Sequence, residues 1–414
     1  MSPFHYDGDT LCCEAVALPD VARRFGTPCY VYSQAALTDA FSEFRQALAG
    51  RDALVCYAAK ANSNLAILQL FAGLGSGFDI VSGGELSRVI AAGGDTSRVV
   101  FSGVGKSETE IRRALDAGIL CFNIESSREL DRIEVAAREL GRRAPIALRV
   151  NPDVDPKTHP YISTGLRTNK FGVPFDEALA LYRRAARCAP LRVIGVGCHI
   201  GSQLLDPQPL AQAAARLLEL VGLLEREGIR LEHIDLGGGI GIRYRDESAP
   251  TLAEFVAPIL HLLRDRPERL LFEPGRRLVG NAGALLTRIE YLKHGVERSF
   301  AIVDAAMNDL MRPALYDAWH GIVPVALRDI PARIYEVVGP VCESGDFLGS
   351  GRSLAVSEGE LLAILSAGAY GMAMSSNYNT RPRAAEVLID GGTMHLIRRR
   401  ENIEELYAAE FLVR

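Results

Sequence analysis

LVCYAAK, residues 54–60, is apolar almost without a break until it ends on a lysine, and seven further runs of the same character follow it. They are FDIVS from 78, VVFSG from 99, CFNIES from 121, PIALRVN from 145, VIGVGCHIGS from 193, HIDLGGG from 233 and LLFEPGR from 270. Apolar runs that do not alternate with polar residues are the mark of parallel strands covered on both faces. The stretches between them, such as SETEIRRALDAG (107–118) and PLAQAAARLLELVGLLEREG (209–228), carry helical periodicity and stop at glycine. Eight strand–helix repeats predict an α/β chain built on a (β/α)8 TIM-type barrel, with a doubly wound open sheet as the alternative. Nearly every run ends in a charged, hydroxyl or glycine residue: Lys60, Ser82, Ser102, Asn151, His199, Gly237 to Gly239 and Glu273. Active sites of barrels form at that end of the strands, which favours the barrel.

Beyond residue 280 the character changes. ALLTRIEYL, FAIVDAAM, ARIYEVVGP, GELLAILSAGAYG and AAEVLIDGGTMHLI read as strands between Gly, Pro and Asp turns, so a second, mainly β domain is expected. The division expected is a barrel over 26–279 and a β-rich domain made of 1–25 and 280–414. A chain of 414 residues is long enough for two cores. No sequence repeat of solenoid length and no low-complexity linker interrupts it.

The composition, 48% hydrophobic and 23% charged, is that of a globular protein, and the net charge of −5 is spread without a basic stripe. That pattern argues against nucleic acid and membrane surfaces and for a small-molecule partner. No apolar run reaches the roughly 20 residues that span a bilayer. The start, MSPFHYDGDTLCCEA, lacks a basic segment followed by an apolar one, so a cytoplasmic location is expected. The eight cysteines form no Cys-x-x-Cys pair and no cluster with histidine at zinc spacing, so no metal site is expected and most should be reduced core residues, Cys198 among them.

Several residues carry reactive chemistry. Lys60 follows a buried strand, where desolvation can turn an ammonium into a nucleophilic amine; taken alone, a solvated surface lysine is the plainer reading. GGGIGI (237–242) could wrap a phosphate with its N–H groups or be a tight connection only. EPGR (273–276) sets a carboxylate beside a guanidinium that can grip an anion, or else an internal salt bridge. His199 and Ser202 end the sixth run, where an imidazole can stack on a flat ring and a hydroxyl can bind phosphate. CESGD (342–346) gathers a thiol, two carboxylates and a hydroxyl, and Cys342 reads equally as a quiet core thiol.

Read in order, YAAKAN, FDIVSGGEL, CHIGSQ, GGGIGI, EPGR, MRPALY, CESGD and GAYGMAMSSNYN resemble the diaminopimelate decarboxylases, fold type III enzymes that use pyridoxal 5'-phosphate (PLP). The likeness covers nearly the whole chain. It implies Lys60 as the Schiff-base lysine, His199 as the residue stacked on the cofactor ring and Glu273 as the partner of the ring nitrogen. Ser202, Gly239, Gly241, Gly275, Arg276 and Tyr370 fall on phosphate or adjacent cofactor contacts. Arg276, Arg312, Tyr316, Glu343 and Tyr370 fall on substrate positions, and Cys342 on the proton donor. The resemblance further implies a homodimer in which the Cys342–Glu343 segment reaches across the interface, and meso-2,6-diaminopimelate as substrate, decarboxylated to L-lysine as the last step of lysine synthesis. Two departures, Ala59 where the family often has Leu and Trp319 where Tyr is frequent, remove no functional group. A decarboxylase of ornithine, arginine or carboxynorspermidine on the same scaffold is the nearest alternative. A non-catalytic PLP-binding regulator and a racemase are more distant ones, because Lys60, Cys342 and Glu343 are all present and a racemase needs acid–base groups on both faces of Cα.

Overall fold

A computed structural model describes residues 3–155 and 169–413. All eight apolar runs are parallel strands: Ala53–Ala58, Gly77–Ile80, Val99–Phe101, Cys121–Ile124, Ala144–Asn151, Leu191–Gly197, His233–Asp235 and Arg269–Phe272. Each pairs with the next, and the eighth returns to the first through Leu270 opposite Ala53 and Leu271 opposite Leu54, so the sheet closes. The open-sheet alternative is thereby excluded. Closure buries both faces of every strand, which is why these runs could not alternate.

Local chemistry sets where the barrel helices begin. Ser107 caps Glu108–Ala117 in a reciprocal box with Glu110, and Thr251 caps Leu252–Leu262 in the same way with Glu254. Ser82 and Ser126 accept from Glu85 N–H and Glu129 N–H at the starts of Gly83–Ala91 and Ser127–Glu139. Gly118, at φ 66°, ends Glu108–Ala117 in a left-handed conformation that a side chain would resist. The long helix expected near 209–228 runs Gln208–Arg226 and turns Leu210, Leu217, Leu220 and Leu224 inward.

The second unit comprises residues 1–40, 243–247 and 278–414. Its central strand, Gly283–His294, pairs with Cys29–Ser33, Ser299–Val303 and Leu361–Ile364, all antiparallel. Arg333–Val338 and Phe347–Leu354 extend one edge, and Ala385–Asp390 with Thr393–Arg398 the other. The first residues form a small antiparallel sheet, Phe4–Asp7, Thr10–Cys13 and Val16–Ala17. Phe4, Leu11, Cys13 and Val16 from it share one apolar cluster with Leu286, Ala363 and Val387. One assignment changes: Cys29–Ser33, placed in the barrel by a boundary at 26, is a fully buried strand of this second sheet. Its sequence, CYVYS, is β-branched and aromatic like a barrel run, and only its pairing partners tell the two apart.

Candidate active site

The barrel chain turns sharply after its first strand, and the turn Ala59–Ala61 presents Lys60 to a cavity of about 580 Å³. Ser82, Ser102, Asn123, His199, Asp235 and Glu273 are among its other lining residues. Lys60 Nζ lies 2.5 Å from Asp79 Oδ2, a carboxylate with no exposure, on the second strand. A second buried lysine, Lys106, differs in kind: its ammonium is saturated by Gly103 O, Asn123 O and Glu129 Oε1 at 2.6 to 2.8 Å. Lys106 is thus a structural cation, whereas Lys60 keeps about a third of its side chain open to the cavity.

Acids converge on the cavity floor. Asn123 Nδ2 donates to Ser102 Oγ and Asp235 Oδ2, each at 3.2 Å, and to Glu273 Oε1 at 3.4 Å. Asp235 Oδ1 also accepts from Gly237 N–H at 2.8 Å. Burial pushes Asp235 up to about 6 although these donors oppose it. Burial, then the charges of Asp235 and Asp79, push Glu273 well above the usual carboxylate range. Burial beside Asp235 thus favours the neutral form of Glu273.

His199 follows the sixth strand. Burial, and then the cations Arg149 and Lys60, depress its pKa well below the usual value. Its Nδ1 accepts from Gly238 N–H at 3.2 Å, so the neutral ring carries its hydrogen on Nε2.

The glycine loop is tied into its neighbours by backbone bonds. Glu273 N–H donates to Gly237 O at 2.7 Å, Leu204 N–H to Gly239 O at 2.8 Å and Gly241 N–H to Leu204 O at 2.9 Å. A Cβ on Gly238 would stand 2.0 Å from Glu273 O, and one on Gly239 2.2 Å from Gly201 O, so the loop has room for glycine alone. Arg276 Nη2 donates to Ser202 Oγ at 3.0 Å. Ala58 N–H donates to Pro274 O at 3.0 Å, and a Cβ on Gly275 would press on Ala61 Cβ at 2.9 Å. The turn bearing Lys60 is in this way locked to EPGR. Lys60, His199, Ser202, Gly239, Gly241, Glu273, Gly275 and Arg276, scattered over more than half the chain, all belong to the barrel unit.

The remaining predicted residues belong to the second unit. Arg312 opens the helix Arg312–Tyr316 and is buried, while Tyr316 at its end is half-buried. Tyr370, also half-buried, holds φ 56°, a left-handed backbone uncommon for tyrosine. Cys342 and Glu343 are both exposed, so Cys342 is no core thiol; its N–H donates to Asn379 Oδ1 at 3.0 Å. Cys198 is a core thiol as expected, and burial pushes it up to about 12.

Sequence reasoning passed over Asp79, Asn123 and Asp235. The signal was available: each is a polar residue inside an otherwise apolar strand run, Asp79 in FDI, Asn123 in CFNI and Asp235 beside His233 in HIDL, and a barrel interior tolerates such residues where they find partners.

A lysine opening on a cavity lined by buried acids, with a glycine loop at the C-terminal ends of barrel strands, is the arrangement of the pyridoxal-dependent barrel enzymes. Consistent with that class, the family model for the pyridoxal-binding domain of pyridoxal-dependent decarboxylases matches residues 34–280. Diaminopimelate decarboxylase of Neisseria meningitidis serogroup B is 59% identical over 401 residues, covering 97% of each chain. That of Pseudomonas aeruginosa is 58% identical over 413 residues, covering both chains completely. The crystal structure of the Helicobacter pylori diaminopimelate decarboxylase complexed with L-lysine superposes with a TM-score of 0.92 at 43% identity, over 95% of this chain and 99% of that one. The chain belongs to the diaminopimelate decarboxylase family.

Proposed function

We propose that this enzyme removes carbon dioxide from meso-2,6-diaminopimelate to give L-lysine, with PLP as its cofactor. The observation that carries the reading is Lys60 Nζ paired with buried Asp79 at the mouth of a cavity floored by Asp235 and Glu273.

The residues present fit PLP. Asp79 pairs with Lys60, Asp235 and Glu273 line the same cavity, and Oδ1 of Asp79 and of Asn123 are buried with no hydrogen-bond partner among the described residues, so the site offers acceptors to a cofactor that brings a donor or cationic group. When bound, PLP supplies the electron sink that takes up the pair left on Cα as carbon dioxide departs. Lys60 would hold the cofactor's aldehyde carbon. Glu273 would be the partner of the ring nitrogen, since a nearby carboxylate favours the cationic form of that nitrogen. His199, neutral and fixed by Gly238, supplies a flat face for the ring without adding positive charge. The loop holding Gly239 and Gly241, with Ser202, Gly275 and Arg276, would hold the phosphate.

For substrate, Arg276, Arg312, Tyr316, Glu343 and Tyr370 form the recognition set, and the Cys342 thiol delivers the proton to Cα. Arg312 and Glu343 offer one partner to each charge of the distal end, its carboxylate and its ammonium. A diamino monoacid such as ornithine leaves a buried guanidinium without its anion and is rejected. The exposure of Cys342 and Glu343 suits a segment completed by a second copy, so the working unit is a homodimer with shared sites. Among the described residues no helix is long and apolar enough to cross a membrane.

The test is carbon dioxide release from meso-diaminopimelate, ornithine, lysine and arginine, with and without added PLP. PLP-dependent release confined to meso-diaminopimelate is expected. Equal release from ornithine overturns the substrate, and release independent of PLP overturns the cofactor.

A further inference from the structure

Arg312 is held in an unusual way for a buried cation. Its Nη1 lies 2.9 Å from Nε2 of His320, a histidine with no exposure, whose Nδ1 lies 2.9 Å from Leu365 O. A carbonyl cannot donate, so Nδ1 carries the hydrogen; a guanidinium cannot accept, so Nε2 offers its lone pair. These two contacts select one neutral tautomer of His320. The guanidinium carbon of Arg312 also stands 4.8 Å from the centroid of the Tyr244 ring, which meets the His320 ring edge-on at 5.4 Å and 80°. Both rings orient the guanidinium, one by accepting its hydrogen bond and the other by offering its π face.

We propose that His320 and Tyr244 are positioning residues that aim Arg312 at the carboxylate on the distal end of the substrate. The proposal deepens the reading given above of Arg312 as a substrate group, and rests on it. An apolar residue in place of His320 would remove one of the contacts that fix how the guanidinium points. The histidine of the DAWH string, 317–320, thereby acquires a role in specificity without touching the reacting atoms.

The experiment uses the PLP-loaded enzyme and three variants, R312A, H320L and H320Q, with the visible absorbance of bound PLP as the check that each is folded. H320L is expected to raise KM for meso-diaminopimelate roughly tenfold or more while kcat changes far less, since a hydrogen bond to a charged group is lost from binding. The Kd of L-lysine, which keeps the carboxylate and ammonium of the unreacting end, is expected to rise by the same factor. H320Q returns an acceptor to the place of Nε2 and should recover most of the loss. If R312A raises KM but H320L leaves it within about twofold of the parent, the positioning role is overturned while the role of Arg312 stands. If R312A itself has no effect on KM, the substrate reading of Arg312 fails and takes the inference with it. Equal impairment in H320L and H320Q overturns the hydrogen-bond argument.

Discussion

At the scale of single residues, the barrel site is organised by the cost of burying acids together. Asp235 and Glu273 both have raised pKa values, caused first by burial. For an acid raised on folding, the native state binds more protons than the unfolded chain between the two pKa values, so stability falls as pH rises through that window. For Asp235 the window runs from 3.8 to about 6, and the penalty is complete above it. Replacing Asp235 by Asn, which can still accept from Gly237 N–H, is therefore expected to raise the Tm of the cofactor-free protein at about pH 8, with the gain gone at about pH 4. Thermal melts at the two pH values decide it; a variant no more stable than the parent at about pH 8 contradicts the electrostatic account. The place of Lys60 after an apolar run made it a candidate, but on that ground alone a surface lysine was the plainer reading, and the resemblance of motifs singled it out. The acids beneath it were not singled out, because a lone Asp inside a strand has meaning only once its neighbours across the barrel are known.

At the scale of elements, the glycine loop is shaped by backbone geometry. Gly237 and Gly239 hold φ of 65° and 92°, and their neighbours leave no space for a Cβ. G239A combines a left-handed backbone with a 2.2 Å approach to Gly201 O, so the loop must move away from Ser202 and Arg276. Weakening of PLP affinity by on the order of tenfold or more is expected, read by titrating the cofactor-free protein with PLP. Unchanged affinity would mean that the loop does not hold the phosphate. The eight barrel strands were legible because a strand covered on both faces must be apolar along its length and can turn polar only where it leaves the sheet. Cys29–Ser33 was misassigned for the same reason: burial on both faces leaves the same signature in either sheet, and partner choice is a property of pairing rather than of composition.

At the scale of the whole molecule, the chain divides its chemistry. The groups that fit the cofactor lie between residues 60 and 276, on strands that arise from one repeated pattern. Those assigned to substrate recognition fall mainly between 312 and 370, in a β-rich unit whose strands follow no such repeat. The resemblance of motifs located the second group, and composition alone could not have done so: Arg312 and Tyr316 sit in a five-residue helix and Glu343 in a loop, all too short for a periodicity to mark them. His320 was passed over entirely, since nothing in DAWH distinguishes a histidine that orients a guanidinium from one that fills space. The central claim is that one lysine of this chain is built to carry an aldehyde cofactor, and reduction by borohydride tests it most directly. After the PLP-loaded enzyme is reduced, peptide mapping by mass spectrometry should find the pyridoxyl group on Lys60, with the parent's visible absorbance lost. A pyridoxyl group on another lysine such as Lys106, or none at all, would contradict the account.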